Sequence, residues 1–312
     1  MPYRKFKADY LFDGSDFCDA GSVLITDEKG KVIEVTNTKN AGGDIETFAG
    51  ILSPGFINAH CHLELSHLKN KIPEKTGLVN FVYKVITERH HEAAEIETAI
   101  EAAIEEMRGS GIVAIGDICN NELSLPAKKS GRINYYNFIE ASGWNPSVVD
   151  ERFNRSKEIF DVFIADGQKA SIVPHAPYSV SYRLWEKITP FFEDKVVTIH
   201  SKESKGEDEL FLKGEGGFND MYEKMKIDNT FFEYPGQSSV EYYFEKLSRA
   251  SSVILVHNTF LNKDDIDHIL KHKRSTQLLS FCLCPNANVY IENSLPPVEL
   301  LIENDLNIII GT

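Results

Sequence analysis

The sequence predicts an α/β protein whose main part is a (β/α)8 TIM barrel. From Pro54 onward, short apolar runs alternate with longer amphipathic stretches, which is typical of a parallel sheet with helical connections. Eight such runs fit into residues 54–312, close to the roughly 250 residues of this barrel. The competing architecture, an open doubly wound sheet, would need a glycine-rich phosphate loop after its first strand, and residues 58–62 contain none.

Residues 1–53 are predicted to form a separate, small β-rich domain. Apolar residues at 22–26 and 32–35 flank a run of turn-forming residues at 27–31, which is the pattern of a β-hairpin. The change of pattern at Pro54-Gly55 divides the chain into this domain and a barrel of residues 54–312.

The eight predicted barrel strands are short apolar runs at 56–62, 112–119, 133–140, 171–174, 196–200, 252–257, 277–282 and 307–310. The best-defined helix follows the first strand, where apolar residues from Ala93 to Met107 recur every three or four positions. About fifty residues separate strands five and six, and an insertion of that length is either a lid or binding loop or an extra helix on the rim.

Composition and charge exclude several classes of function. The 312 residues include 33 Lys and Arg against 47 Asp and Glu, so the net charge of −14 would repel a phosphate backbone and nucleic acid is not expected as a partner. No apolar run reaches the roughly 18 residues of a membrane span, and no secretory signal is expected at the start. Five cysteines without a C-x-x-C pair predict a reduced, cytoplasmic protein.

Histidines at the predicted strand ends indicate a metal site. Strand alternation places His60 and His62 on one face of the first strand, from which two imidazoles can hold one cation. His175, His200 and His257 lie at or just after the ends of strands four, five and six, at the rim where barrel enzymes keep their catalytic residues. The other five histidines are expected to be solvated surface residues: His67, His90, His91, His268 and His272.

Glu203 follows His200 by three residues and has two interpretations. A carboxylate just beyond the strand end can reach a metal-activated water and act as its general base. A surface glutamate among charged neighbours, which include Lys202 and Glu207, fits the spacing equally well. Residues 173–179, at the end of strand four, contain no lysine to bridge two metals, so one metal is favoured.

Segments in order along the chain resemble the signature segments of the amidohydrolase superfamily. They are residues 53–62, 174–179, 200–203, 255–258, 284–288 and 295–297. The set covers nearly the whole chain and is similar to the branch that holds nucleobase and nucleoside deaminases and triazine chlorohydrolases. Within that branch, residues 62–66 look most like the corresponding segment of aminodeoxyfutalosine deaminases.

The resemblance implies one divalent metal ion, zinc or iron, held by His60, His62 and His200. It also implies a role for each remaining rim residue, with Glu203 as the proton shuttle and His257 as the group that orients the attacking water. His175 would contact the substrate.

The chain departs from the family pattern at its end. The family's fourth protein ligand is an aspartate in a Gly-Thr-Asp segment after strand eight, and this sequence stops at Gly311-Thr312. The last barrel helix and the closing strands of the small domain would also follow that point. We therefore expect the sequence to be a fragment of a longer chain, with residues 1–53 as part of a small β-sandwich.

The function implied by the resemblance is a metal-dependent hydrolytic deaminase that releases ammonia from a purine-like base or nucleoside through a metal-activated water. One alternative is a hydrolase of the same superfamily that acts on a chloro-triazine or a cyclic amide. Another is a non-catalytic barrel scaffold, if the aspartate is truly absent. The expected partner is a small-molecule substrate, and a homodimer is left open.

Overall fold

The computed structural model describes residues 3–312, which form two compact units. The first unit ends at Phe56 and the second begins at Ile57. The predicted boundary after residue 53 lies within three residues of this division, and the assignment of the first unit to a β-sandwich stays a prediction.

The first unit is built from six short strands: β1 (Tyr3–Lys7), β2 (Tyr10–Leu11), β3 (Ser22–Asp27), β4 (Val32–Asn37), β5 (Ile45–Thr47) and β6 (Ile51–Leu52). β3 and β4 pair antiparallel and form the predicted hairpin. Four strands make one sheet in the order β4-β3-β1-β5, and β2 pairs with β6. Val23, Ile25 and Ala41 form a buried apolar cluster in this unit.

The second unit contains eight strands at the predicted positions: β7 (Phe56–Cys61), β8 (Ile112–Cys119), β9 (Asn134–Ala141), β10 (Ala170–Pro174), β11 (Val196–Ser201), β12 (Ser252–His257), β13 (Leu278–Leu283) and β14 (Ile308–Ile310). They form two four-stranded sheets, β7-β8-β9-β10 and β11-β12-β13-β14. Neighbouring strands from β8 to β10 and from β11 to β14 pair in parallel.

Backbone hydrogen bonds join the two sheets at both of their edges. At one edge, the amide of His200 donates to the carbonyl of His175 at 3.0 Å. At the other, the amide of Thr312 donates to the carbonyl of His60 at 2.7 Å. These contacts hold the edges of the two sheets together, and the parallel strands with helical connections confirm the predicted TIM-barrel-like fold.

The helices of the second unit are α1 (Leu78–Glu88), α2 (Ala93–Gly109), α3 (Leu125–Lys128), α4 (Val149–Ala165), α5 (Tyr182–Ile188), α6 (Lys205–Asp208), α7 (Gly217–Lys224), α8 (Ser239–Tyr243), α9 (Lys263–His272), α10 (Pro285–Glu292) and α11 (Val298–Glu303). α2 is the helix expected from the apolar repeat. Its residues Ile96, Ile100 and Ile104 are buried on one face, and burial of each such side chain contributes about 1.5–3 kcal/mol.

The long insertion between β11 and β12 is mostly helical. It contains α6, a π-helix at Glu209–Lys213, α7 and α8. Met221 and Tyr222 of α7 also line the large cavity at the barrel mouth. Both interpretations of this insertion therefore apply, because it adds helices to the rim and contributes to the cavity wall. No helix within residues 3–312 is long and apolar enough to cross a membrane.

Gly116 in β8 permits a close approach of β7, the strand that carries His60. A Cβ atom at this position would overlap the carbonyl oxygen of Ala59 and lie 3.0 Å from Cε2 of Phe138. We predict that Gly116→Ala lowers the free energy of unfolding by about 1–3 kcal/mol, the usual cost of overpacking, as measured by urea denaturation. Gly109→Ala is the control, since no atom lies within 4 Å of the added methyl group and no loss of stability is expected. Equal stabilities of the two variants would contradict this account.

Candidate active site

The carboxyl ends of the barrel strands bring all the predicted site residues to one cavity. It is lined by His60, His62, His175, His200, Glu203 and His257. β7 carries His60 and ends one residue before His62, whereas β11 and β12 supply His200 and His257. The ring centroid of His60 lies 5.0 Å from that of His62 and 4.9 Å from that of His200. The convergence expected from strand spacing is therefore present.

Three of these imidazoles have the donor arrangement of a cation site. His62 Nε2 and His200 Nε2 lie 3.3 Å apart, and one ligand nitrogen from each of His60, His62 and His200 falls within 4.8 Å of the others. His200 Nδ1 donates to the carbonyl of His175 at 2.8 Å, which leaves the Nε2 lone pair free. Neither ring nitrogen of His60 has a hydrogen-bond partner among residues 3–312, although both are buried. A divalent cation would satisfy these nitrogens, so the residues fit a metal.

Burial keeps these imidazoles neutral. Desolvation, with the neighbouring histidines, lowers the pKa of His200 to about 4 and holds the pKa values of His60 and His62 well below the usual 6.5. Neutral imidazole is the form that binds a metal, so the cluster is ready for a cation at neutral pH.

Glu203 is buried beside His257, so the surface interpretation of this residue is wrong. Glu203 Oε1 lies 3.3 Å from His257 Nε2, and burial raises the pKa of Glu203 to about 7. His257 Nδ1 hydrogen-bonds Asn288 Oδ1 at 2.8 Å. The carboxylate can therefore exchange a proton near neutral pH, at a position next to the histidine cluster.

His175 lies on the cavity wall next to a second carboxylate. Its Nδ1 hydrogen-bonds Ser179 Oγ at 2.7 Å, and its Nε2 lies 4.0 Å from Glu140 Oε1. Glu140 Oε1 is also 3.6 Å from His200 Nδ1. We did not predict Glu140 from sequence spacing, although it lies near the carboxyl end of β9, just as the rim histidines lie at or near the ends of their strands.

Glu207 holds the backbone that carries Glu203. Its Oε1 accepts a hydrogen bond from the Glu203 amide at 2.7 Å, and its Oε2 accepts from the Lys202 amide at 3.1 Å and from Ser239 Oγ at 3.0 Å. The Glu207 side chain is fully buried, and burial raises its pKa to about 8. Nothing in the charged sequence around it distinguishes Glu207 from a surface residue.

Lys202 is a buried cation in the same loop as Glu207. Its Nζ lies 2.5 Å from Asp208 and 3.0 Å from Asp265 at the start of α9, while its backbone has a left-handed φ of 49°. The side chain is completely buried. These ion pairs fix the loop after β11 to the helix that follows β12.

A network of hydrogen bonds through Glu64 connects three residues of the cavity wall, Arg89, Asn120 and Glu140. Arg89 Nη2 lies 2.5 Å from Glu64 Oε1, and Glu64 Oε2 accepts the amide of Asn120 at 2.8 Å. Asn120 Nδ2 continues this network with a hydrogen bond to Glu140 at 2.9 Å.

His67 was expected on the surface, and that expectation was wrong. Its side chain is buried and hydrogen-bonds the carbonyl of Arg89 at 3.1 Å. The burial arises because His67 lies in a 3-10 helix that packs against α2.

The last residues of the sequence lie beside the histidine cluster. The amide of Thr312 contacts the carbonyl of His60, and Asn58 Nδ2 donates to Thr312 Oγ1 at 3.0 Å.

Comparisons with known proteins show the family of the chain. The model of the amidohydrolase family matches residues 51–312. The chain is 26% identical over 260 residues to the aminodeoxyfutalosine deaminase of a Nitratiruptor species, a match that covers 80% of this chain. It spans only 60% of that relative's length.

Two solved structures show the same fold. One is Helicobacter pylori aminofutalosine deaminase in complex with methylthio-coformycin, with a TM-score of 0.85, 21% identity, and coverage of 99% of this chain and 76% of that one. The other is atrazine chlorohydrolase from Arthrobacter aurescens complexed with zinc, with a TM-score of 0.71, 12% identity, and coverage of 99% and 71%.

Removal of the Lys202 charge should destabilise the second unit strongly. We predict that Lys202→Met lowers the free energy of unfolding by about 3–5 kcal/mol, because it leaves the Asp208 and Asp265 carboxylates without their cation. Urea denaturation measures this loss. Lys263→Met, which removes one partner of an exposed pair with Asp267, is the matched control and should change stability little. A small effect of Lys202→Met would contradict this account of the buried ion pairs.

The pH dependence of stability should reveal Glu207. Its folded pKa of about 8 exceeds the ordinary 4.5, so the folded state retains a proton that the unfolded state has released between these values. Its contribution to stability is complete below about pH 4.5 and is lost as the pH rises towards 8. We predict that metal-free wild type loses stability more steeply than Glu207→Gln between these limits, as measured by urea unfolding at several pH values. Parallel profiles would show that this carboxyl is not perturbed.

Proposed function

This chain belongs to the amidohydrolase family, and we propose that it acts as a metal-dependent hydrolytic deaminase on a purine-like base or nucleoside. The observation that carries the proposal is a buried carboxyl group, Glu203, with a pKa near 7 beside a cluster of neutral histidines in one cavity. The reaction would hydrolyse a C–N bond of the substrate and release ammonia.

His60, His62 and His200 would hold one divalent metal ion. Three imidazole ligands suit zinc or iron, and zinc is supported by its presence in the similar chlorohydrolase structure. When bound, the ion would lower the pKa of a water molecule, to about 7 at a favourable zinc site.

Glu203 would carry protons between the attacking water and the leaving amine. A carboxyl group with a pKa near 7 can accept a proton at one stage and donate it at the next, because both forms are populated at neutral pH. The Glu207 carboxyl group supports this role, since the hydrogen bond that it accepts from the Glu203 amide fixes the backbone from which the Glu203 side chain extends.

His257 would orient the water. Because its Nδ1–H donates to Asn288, its Nε2 carries a lone pair and can accept a hydrogen bond from the water. This Nε2 lies 3.3 Å from Glu203 Oε1, so the water would be held close to the proton carrier. His175 would act in the same way on the substrate, because Nδ1 bonded to Ser179 leaves Nε2 as an acceptor for a substrate N–H group.

The cavity supports a substrate with an aromatic ring system. Its volume is about 1240 Å³, and its wall includes Trp144, Tyr178 and Tyr222, two of which, Trp144 and Tyr222, are stacked at 5.3 Å. Flat apolar walls with a few polar groups at one end are typical of small-molecule sites. A small molecule rather than nucleic acid is therefore the proposed partner, in a reduced cytoplasmic setting, with a homodimer left open.

The first test is ammonia release by the metal-loaded protein. The panel would contain adenosine, 5′-substituted adenosines, guanine, cytosine and aminodeoxyfutalosine. A hit on an adenosine-like compound supports the proposal. Chloride release from a triazine, or ring opening of a cyclic amide, would replace it with the alternative hydrolase. A protein that holds no metal and releases nothing would support the scaffold alternative.

Replacement of the proposed proton carrier should separate metal binding from turnover. We predict that Glu203→Gln retains the metal but lowers kcat by about 10²–10⁴-fold, the usual contribution of a general acid–base group. Metal content is measured by elemental analysis and turnover by ammonia release. Glu193→Gln, at an exposed position, is the control and should keep normal turnover. Undiminished activity of Glu203→Gln would disprove the assigned role.

A further inference from the structure

We propose that a second metal site, separate from the histidine cluster of the barrel mouth, lies on the outside of the second unit. Its ligands would be Glu245, His268 and His272, and its occupant a divalent transition metal of the kind that prefers imidazole, such as Zn²⁺. One ligand atom from each residue lies within 4.8 Å of the other two.

Helix geometry places the two imidazoles together. His268 and His272 are four residues apart on α9, so they occupy the same helix face, and their ring centroids are 4.1 Å apart. Glu245 comes from the 3-10 helix Phe244–Leu247, which contacts α9. The site would therefore cross-link two separate elements.

Hydrogen bonding prepares the rings for a cation. His272 Nδ1 donates to the carbonyl of His268 at 2.8 Å, which leaves the lone pair on Nε2, 3.8 Å from Glu245 Oε1. That separation is too long for a hydrogen bond. His268 Nε2 is buried without a hydrogen-bond partner among residues 3–312, and a buried nitrogen in that condition costs free energy that a bound ion would recover.

The donor set selects the class of metal. Two imidazoles and one carboxylate form a ligand set common for zinc, in which water usually takes the fourth coordination position. Mg²⁺ and Ca²⁺ prefer sites made of oxygen atoms and are not expected to compete. The chain's net charge of −14 favours accumulation of cations near its surface.

The position of the site indicates a structural role. Asn262 caps the start of α9 together with Asp265, and Asp265 also pairs with Lys202 next to Glu203. A metal at the opposite end of α9 would hold the helix to the 3-10 helix, at residues that do not line the barrel-mouth cavity. Binding should therefore raise thermal stability without entering the reaction.

Zinc stoichiometry tests the site. Purified protein is equilibrated with buffered free Zn²⁺, and bound zinc is counted by elemental analysis. We expect two equivalents on wild type and one on His268→Gln/His272→Gln. We also expect the affinity for the second equivalent to fall at least about tenfold in Glu245→Gln, the lower end of what even an outer-shell partner contributes. His60→Gln/His62→Gln should lose the other equivalent, so failure of the mouth site and failure of this site are distinguishable.

Further measurements distinguish loss of the metal site from misfolding of a variant. Lys271→Gln, on the same turn of α9 but not a ligand, should bind two equivalents. Zn²⁺ added to protein that already holds its first equivalent should raise the Tm of wild type and Lys271→Gln but not of the double histidine variant. Circular dichroism spectra of the variants in chelator should match wild type. The same zinc count in wild type and the double variant, or a Tm rise in both, would overturn the proposal.

Discussion

The candidate site depends on the register of parallel strands at the edges where the two sheets of the barrel meet. The His200 amide bonds the His175 carbonyl across one edge, and the Thr312 amide bonds the His60 carbonyl across the other. A shift of one residue at either edge would turn a histidine from the barrel mouth to the packed outer face, because side chains alternate along a strand. The close contact of Gly116 with Ala59 constrains β7 from its other side.

A second constraint is the burial of charge around the loop after β11. Lys202, Asp265 and Glu207 are buried ionisable groups that water solvates poorly. Lys202 pairs with Asp265 and with the half-buried Asp208, and Glu207 accepts hydrogen bonds from two amides. Such networks contribute little net stability compared with apolar packing, but loss of one partner is costly. The arrangement therefore serves to hold one backbone conformation, the one that brings Glu203 to within 3.3 Å of His257. Rigid support of this kind matters because acid–base groups act only at short range.

The sequence allowed the fold and the histidine cluster to be predicted, and the reasons are local. Each barrel strand is an apolar run bounded by polar residues, and the observed limits differ from the predicted ones by at most one residue at either end, as at β9 and β13. Lys202, Glu207 and His67 were not predicted because their burial depends on residues far along the chain, among them Ser239 and Asp265. Charge in a loop normally indicates solvent exposure, and only contacts from other elements reverse that expectation.

The sequence by itself determined the alternation of strands and helices, and with it the rim at which His60, His62, His175, His200 and His257 collect. Periodicity and spacing are properties of the chain alone, so these features follow from the order of residues. Only the tertiary structure decided which charged residues are buried, that Glu203 faces His257, and that His268 and His272 stand beside Glu245. The physical reason is that desolvation and ion pairing depend on what packs against a side chain, and those partners come from distant parts of the chain.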